Sequence, residues 1–330
     1  MTTETATGYD EIYFHGRDGL RLYGRHYRAA IPAGARPIVC LAGLTRNSRD
    51  FHTIALALSQ NSSPARDVFT LDTRGRGLSE HDRDWKNYAV PIEMQDAIDY
   101  MTMLGLREAG IIGTSRGGLI TMVLAAVQPS LVGPVVLNDI GPLIEMDGLA
   151  RIAGYVGRIP VPKNWPDAAR IVRDLTQRDF PNLTDEDTDA VARQLFNEKN
   201  GKPTSGYDSK LTKCLSVLDG PIPALWPQFE ALKRVPLLVL RGGNSDLLSE
   251  ATVEEMRRRH PQMSSVTVPG EGHAPLLRDA PTIGAIASFF ANTDEVHDGV
   301  HHGAMTRSDF NYVSRLVSTS PRSTRRENSV

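Results

Sequence analysis

Gly110-Ile111-Ile112-Gly113-Thr114-Ser115-Arg116-Gly117-Gly118-Leu119, continued by ITMVLAAV through Val127, joins a short apolar run to a helical one across a G-x-S-x-G sequence. Small residues on both sides of Ser115 permit a tight, strained strand-to-helix turn, which projects a hydroxyl out of the end of a sheet. The N–H of Arg116 then opens a helix, where it can face a developing oxyanion. Outside such a junction the same five residues would be no more than a flexible turn.

Working outward, other short apolar runs occur at Pro37–Leu41, Asp67–Leu71, Val135–Leu137 and Val235–Leu240. Strands apolar on both faces belong in a parallel sheet covered by helices. Helix-period segments separate them, as at 91–104, where Ile92, Ala97, Ile98, Met101 and Leu104 share a stripe. The alternation predicts a doubly wound, mostly parallel α/β domain. Residues 10–29 read instead as two antiparallel strands around the turn Gly16–Gly19.

One long interval, 143–232, offers helical patterns at 147–158, 165–178 and 184–198 and a polar loop at Lys199–Tyr207. Thr184 to Asp187 suit a helix N-terminus. The domain reading is a flexible N-terminus (1–9), a core (10–142 and 233–293), an inserted helical lid (143–232) and a polar, arginine-rich disordered tail (294–330).

The chain has 330 residues, and its net charge of −2 supplies no field to gather nucleic acid or an acidic membrane surface. The N-terminus lacks the basic start and apolar run of a secretory signal, and no segment has the length of a membrane span. A cytoplasmic protein is expected. Cys40 and Cys214 form no disulfide or metal pattern, and with no zinc-type cluster and no G-x-G-x-x-G at a strand-helix junction neither metal nor organic cofactor is expected.

A serine is a weak nucleophile near neutral pH and needs a base within hydrogen-bond reach. His273, on the glycine-rich loop Val268–Pro275, is the candidate. The other histidines considered lie in the tail (His297, His301, His302) or beside the opening hairpin (His15, His26). For the acid that orients the histidine, Asp246 follows the run 235–240 in a loop of small polar residues. Asp139, at the end of the run 135–138, is the rival. The second oxyanion donor is placed in Ala42-Gly43-Leu44-Thr45, at the Leu44 N–H.

With these residues in view, the chain resembles the α/β-hydrolase superfamily. The likeness is to its lidded branch of small-ester hydrolases, enol-lactonases, ring-cleavage-product hydrolases and haloperoxidase-like esterases. It runs over about residues 10–292. Besides the serine turn, Asp72-Thr73-Arg74-Gly75-Arg76-Gly77-Leu78-Ser79 is similar to the family's D-x-R-G-x-G-x-S turn, and Gly272-His273 to its G-H loop. The resemblance implies that the Asp72–Ser79 turn is structural and that the triad order is Ser, Asp, His; in some relatives the acid follows the earlier strand. Two departures stand out. Ala42-Gly43 replaces a frequent His-Gly, and Arg76 stands where the family often has His.

The resemblance implies acyl transfer from a small carboxylic ester or lactone through an acyl-enzyme that water resolves. Hydrolysis of a carbon–carbon bond in a ring-cleavage product is the second reading, and a low-turnover ligand-binding homologue the third. Arg46, with Arg49 and Arg116, either holds a substrate carboxylate or is a surface arginine. Trp165, Trp226 and Phe180 either line an acyl pocket or fill the lid's own core. Oligomeric state is left open.

Overall fold

The computed structural model describes residues 8–32, 34–216 and 223–300. Its strands are β1 (Asp10–His15), β2 (Arg21–Tyr27), β3 (Ile38–Leu41), β4 (Val68–Asp72), β5 (Ala109–Thr114), β6 (Val132–Asn138), β7 (Asn197–Lys199), β8 (Lys202–Thr204), β9 (Leu237–Gly242) and β10 (Met263–Val268). Helices are α1 (His52–Leu56), α2 (Val90–Met103), α3 (Arg116–Val127), α4 (Met146–Tyr155), α5 (Trp165–Thr176), α6 (Asp185–Leu195), α7 (Thr212–Ser216), α8 (Trp226–Glu230), α9 (Glu250–Arg259) and α10 (Ala280–Val300).

Eight strands form one sheet in the order β1-β2-β4-β3-β5-β6-β9-β10. β1, β2 and β4 run antiparallel to their neighbours in turn, and every pairing from β4 through β3 to β10 is parallel. The expected α/β-hydrolase fold is therefore present. Successive residues of each central strand serve opposite faces: Val39 and Leu41 of β3 join the core beneath α2 and α3, while Ile38 and Cys40 join the core that includes Ile54 of α1 and Phe290 of α10. That is why these runs are apolar throughout instead of alternating.

The segment between β6 and β9 carries α4 to α8, and α5 and α6 share a small core of their own around Ile171, Val172 and Val191. Thr184 caps α6 through a capping box with Asp187. The loop expected at Lys199–Tyr207 is in part the β7–β8 hairpin, turning at Asn200-Gly201. One compact unit ends at Ala291 and a second begins at Asn292. α10 continues to Val300, past Asp294, where the sequence places the start of the tail. Residues 301–330 and 1–7 lie outside the described residues, and with them His301, His302 and most of the predicted flexible ends.

The Asp72–Ser79 turn has the structural role expected of it. Buried Asp72 accepts the N–H of Ser48 at 2.6 Å and of Leu78 at 2.8 Å, and Ser79 Oγ closes on the Asp72 carbonyl at 2.5 Å. Arg74 is occupied by Asp96, Asp82 and Asp18.

Candidate active site

Ser115 sits between β5 and α3 with φ 51° and ψ −116°, a left-handed backbone that only a tightly packed surround maintains for a non-glycine residue. Packing supplies the surround. A Cβ at Gly117 would run into the Leu41 carbonyl of β3 and one at Gly118 into Ile140 just after β6, so α3 can rest on the sheet this closely only with glycine at both positions. The Ser115 N–H donates to the Asn138 carbonyl at 3.0 Å, which ties the serine to the end of the neighbouring strand β6.

His273 reaches the serine from the loop after β10. That loop is held by Gly243 N–H to Val268 O, Asn244 N–H to Glu271 O, and Asn138 Nδ2 to Pro275 O. His273 Nε2 lies 2.8 Å from Ser115 Oγ and Nδ1 lies 2.7 Å from Asp139 Oδ2. A carboxylate only accepts, so Nδ1 carries the proton and Nε2 is left to accept from the serine hydroxyl. Asp139 is fully buried and also accepts from the Gly242 N–H at 2.8 Å and Ser245 Oγ at 2.6 Å. Three donors converge on one carboxylate and fix its direction.

The expectation for Asp246 therefore needs correction: the carboxylate hydrogen-bonded to His273 is that of Asp139, the rival. Asp246 turns to α4, where Arg151 holds it with Nε–Oδ2 at 2.6 Å and Nη2–Oδ1 at 2.7 Å. The Arg151 hydrogen bonds keep the Asp246 carboxyl below its ordinary range. It is the preceding residue, Ser245, that the β9 loop turns inward.

Before the serine lies a cavity of about 170 Å3. Its walls include Gly43, Leu44 and Arg46 on one side and side chains of α4, α5, α6 and the α5–α6 connection on the other, Phe180 of that connection among the apolar ones. Gly43 and Leu44 both line the cavity, and a Cβ on Gly43 would lie 3.7 Å from Ser115 Cβ, so the loop after β3 passes beside the serine. The Arg116 amide heads α3, where the first N–H groups of a helix have no partner within the helix.

Arg46 lines the cavity, but Asp50 takes its Nε and Nη2 at 2.7 Å each. Arg49 faces the inserted segment and donates to Gln194 O and Asn197 Oδ1. Trp165 and Trp226 do not line the cavity. Trp165 packs on the α5–α6 core under Arg193, and Trp226 packs on Phe229 under Arg259. Arg151 and Asp179, both of which line the cavity, escaped sequence reasoning because nothing local marks a helical arginine as facing a distant loop. Among the described residues no group of three or more His, Cys, Asp or Glu is arranged to hold a metal, and no helix is long and apolar enough to cross a membrane.

A serine, a histidine and an aspartate in hydrogen-bonded series, the first two lining a cavity, have the arrangement of a serine hydrolase. Residues 38–285 match the alpha/beta hydrolase family, and the chain belongs to that family. It is 35% identical over 268 residues to the 3-hydroxybutyrate-oligomer hydrolase of Cupriavidus necator, covering 78% of this chain and 89% of that protein. It is 29% identical over 270 residues to the sn-1-specific diacylglycerol lipase ABHD11 of Mus musculus, covering 80% and 82%. Among solved structures, an alpha/beta hydrolase from Novosphingobium aromaticivorans superposes with a TM-score of 0.79 at 36% identity, covering 86% of this chain and 98% of that one.

Proposed function

We propose that this hydrolase cleaves carboxylic esters through an acyl-enzyme, with Ser115 as nucleophile, His273 as general base and Asp139 as the acid that holds the imidazole. The observation that carries the reading is the continuous chain Asp139–His273–Ser115. His273 takes the serine proton as Ser115 attacks the carbonyl, and the Leu44 and Arg116 amides receive the oxyanion. The imidazolium then protonates the leaving alcohol, and water admitted through the same base resolves the acyl-enzyme.

The acyl group is neutral. Arg46 and Arg151 are each already matched by a carboxylate, Asp50 and Asp246, so the cavity offers an anionic chain little uncompensated positive charge. The matched relative that acts on 3-hydroxybutyrate oligomers supports a short hydroxyacyl ester as substrate. Helices α4 to α6 form a lid over this cavity.

Hydrolysis of p-nitrophenyl esters of increasing chain length, 3-hydroxybutyrate oligomers, lactones and a vinylogous diketone by wild type and Ser115→Ala tests the assignment. Ester turnover that disappears in Ser115→Ala is expected. Turnover of the diketone or lactones alone would replace ester hydrolysis with carbon–carbon or lactone cleavage, and ester turnover that survives in Ser115→Ala would remove the serine from the mechanism.

A further inference from the structure

Behind the oxyanion loop lies a buried side-chain bridge that the acyl-transfer steps do not use. Arg76 and Glu93 are both wholly shielded from solvent. Arg76 Nε donates to the Leu44 carbonyl at 2.8 Å, and Nη1 donates to the Arg74 carbonyl at 2.7 Å and to Glu93 Oε1 at 2.6 Å. The other oxygen of Glu93 accepts Arg116 Nε at 2.6 Å, and Arg116 Nη2 donates to the Tyr88 carbonyl at 2.8 Å.

We propose that Arg76, Glu93 and Arg116 are positioning residues that fix the aim and spacing of the two oxyanion donors. The inference rests on the reading of the Leu44 and Arg116 amides as those donors. Leu44 belongs to a loop, and a loop holds an N–H to within a fraction of an ångström only if something supports it. In a trans peptide the C=O and N–H point opposite ways. The Arg46 N–H on the Gly43 carbonyl, at 3.1 Å, thus sets the plane that carries the Leu44 N–H, and Arg76 on the Leu44 carbonyl sets the next plane. Glu93 links that guanidinium to the side chain of Arg116, whose own amide is the second donor.

Fold stability is a poor reason for such a bridge. Buried charges lose their hydration, and apolar replacements of similar volume often serve a fold as well or better. Arg76 Nη2, moreover, is buried with no hydrogen-bond partner among the described residues. A construction of this kind is accounted for by the direction it imposes on the peptide plane that follows Leu44, against which the Leu44 N–H is set.

The test compares wild type, Arg76→Leu and the near-isosteric Glu93→Gln, each checked for folding by circular dichroism, in ester hydrolysis and in inhibition by a trifluoromethyl ketone, whose serine hemiketal places an oxyanion on the same amides. Expected are a kcat lowered about 10- to 100-fold, a KM within about twofold, and ketone affinity weakened in step with kcat. Glu93→Gln carries the comparison if Arg76→Leu does not fold. Unchanged kcat and ketone affinity, or a rise in KM alone, would overturn the proposal. The 19F signal of the hemiketal separates the two readings: its persistence in Ser115→Ala would defeat the serine assignment itself, whereas its loss there beside wild-type behaviour in the bridge variants defeats only the bridge.

Discussion

At the scale of single residues, two aspartates in the loops after neighbouring strands have opposite surroundings. Asp139 accepts from His273, Gly242 and Ser245, whereas Asp246 is engaged by Arg151. Asp139→Asn would favour the imidazole tautomer with the proton on Nε2, which cannot accept from Ser115, so kcat should fall about 10^3- to 10^4-fold with little change in fold. Asp246→Asn loses only an ion pair to α4, and kcat should stay within about threefold. Steady-state kinetics of both variants decide the matter, and the reverse ranking would restore Asp246. Ser115 and His273 were legible in the sequence because each sits in a local pattern, a small-residue turn and a Gly-His loop, that implies its own geometry. The acid was not legible. β6 and β9 are adjacent and parallel, with Asn138 opposite Leu240, so both loops leave the sheet beside His273. Which carboxylate turns inward depends on Ser245 and Arg151, contacts that span 106 and 95 residues of chain and leave no local trace.

At the scale of elements, the serine turn depends on the close approach of α3 to β3. Gly117→Ala would press a methyl group into the Leu41 carbonyl and should cost about 1–3 kcal/mol, lowering Tm by several degrees in thermal unfolding. Gly154, on the exposed side of α4 with open space around its Cα, should behave oppositely. Gly154→Ala should raise stability by about 0.5 kcal/mol through the unfolded chain. If both substitutions shifted Tm alike, the contrast between a packed and an open glycine would be wrong. The central strands and α2 were readable because burial on two faces, or on one stripe, writes itself into the apolar pattern. The β7–β8 hairpin leaves no alternating pattern in the sequence because its three-residue strands are too short to show one. Its Asn200-Gly201 turn, with φ of 54° and 73°, was the available signal.

At the scale of the molecule, the inserted segment is fastened to the sheet loops by ion pairs whose carboxyls are held in the charged form. Arg151 joins α4 to Asp246 after β9, and Arg278, before α10, joins Asp187 at the start of α6. The hydrogen bond from Arg278, ahead of the opposing burial and the help of the Thr184 amide, takes Asp187 from the ordinary 3.8 down to about 2. Asp246 is lowered as well, by Arg151. A carboxyl whose folded pKa lies below its unfolded value adds stability that is fully present above the unfolded pKa and is lost as pH falls through the folded one. Both pairs should therefore weaken as pH falls below the ordinary carboxylate range, the Asp187 pair through about pH 2, and Tm should decline across that window. Asp187→Asn should start from a lower Tm at neutral pH, because Arg278 loses its counter-charge, and should show a shallower decline across the same window. Thermal unfolding of the two proteins at a series of pH values supplies the check. Parallel curves for wild type and variant would mean that the Asp187–Arg278 pair does not couple the inserted segment to stability, and the acid sensitivity would then have to come from the buried carboxylates of the sheet itself.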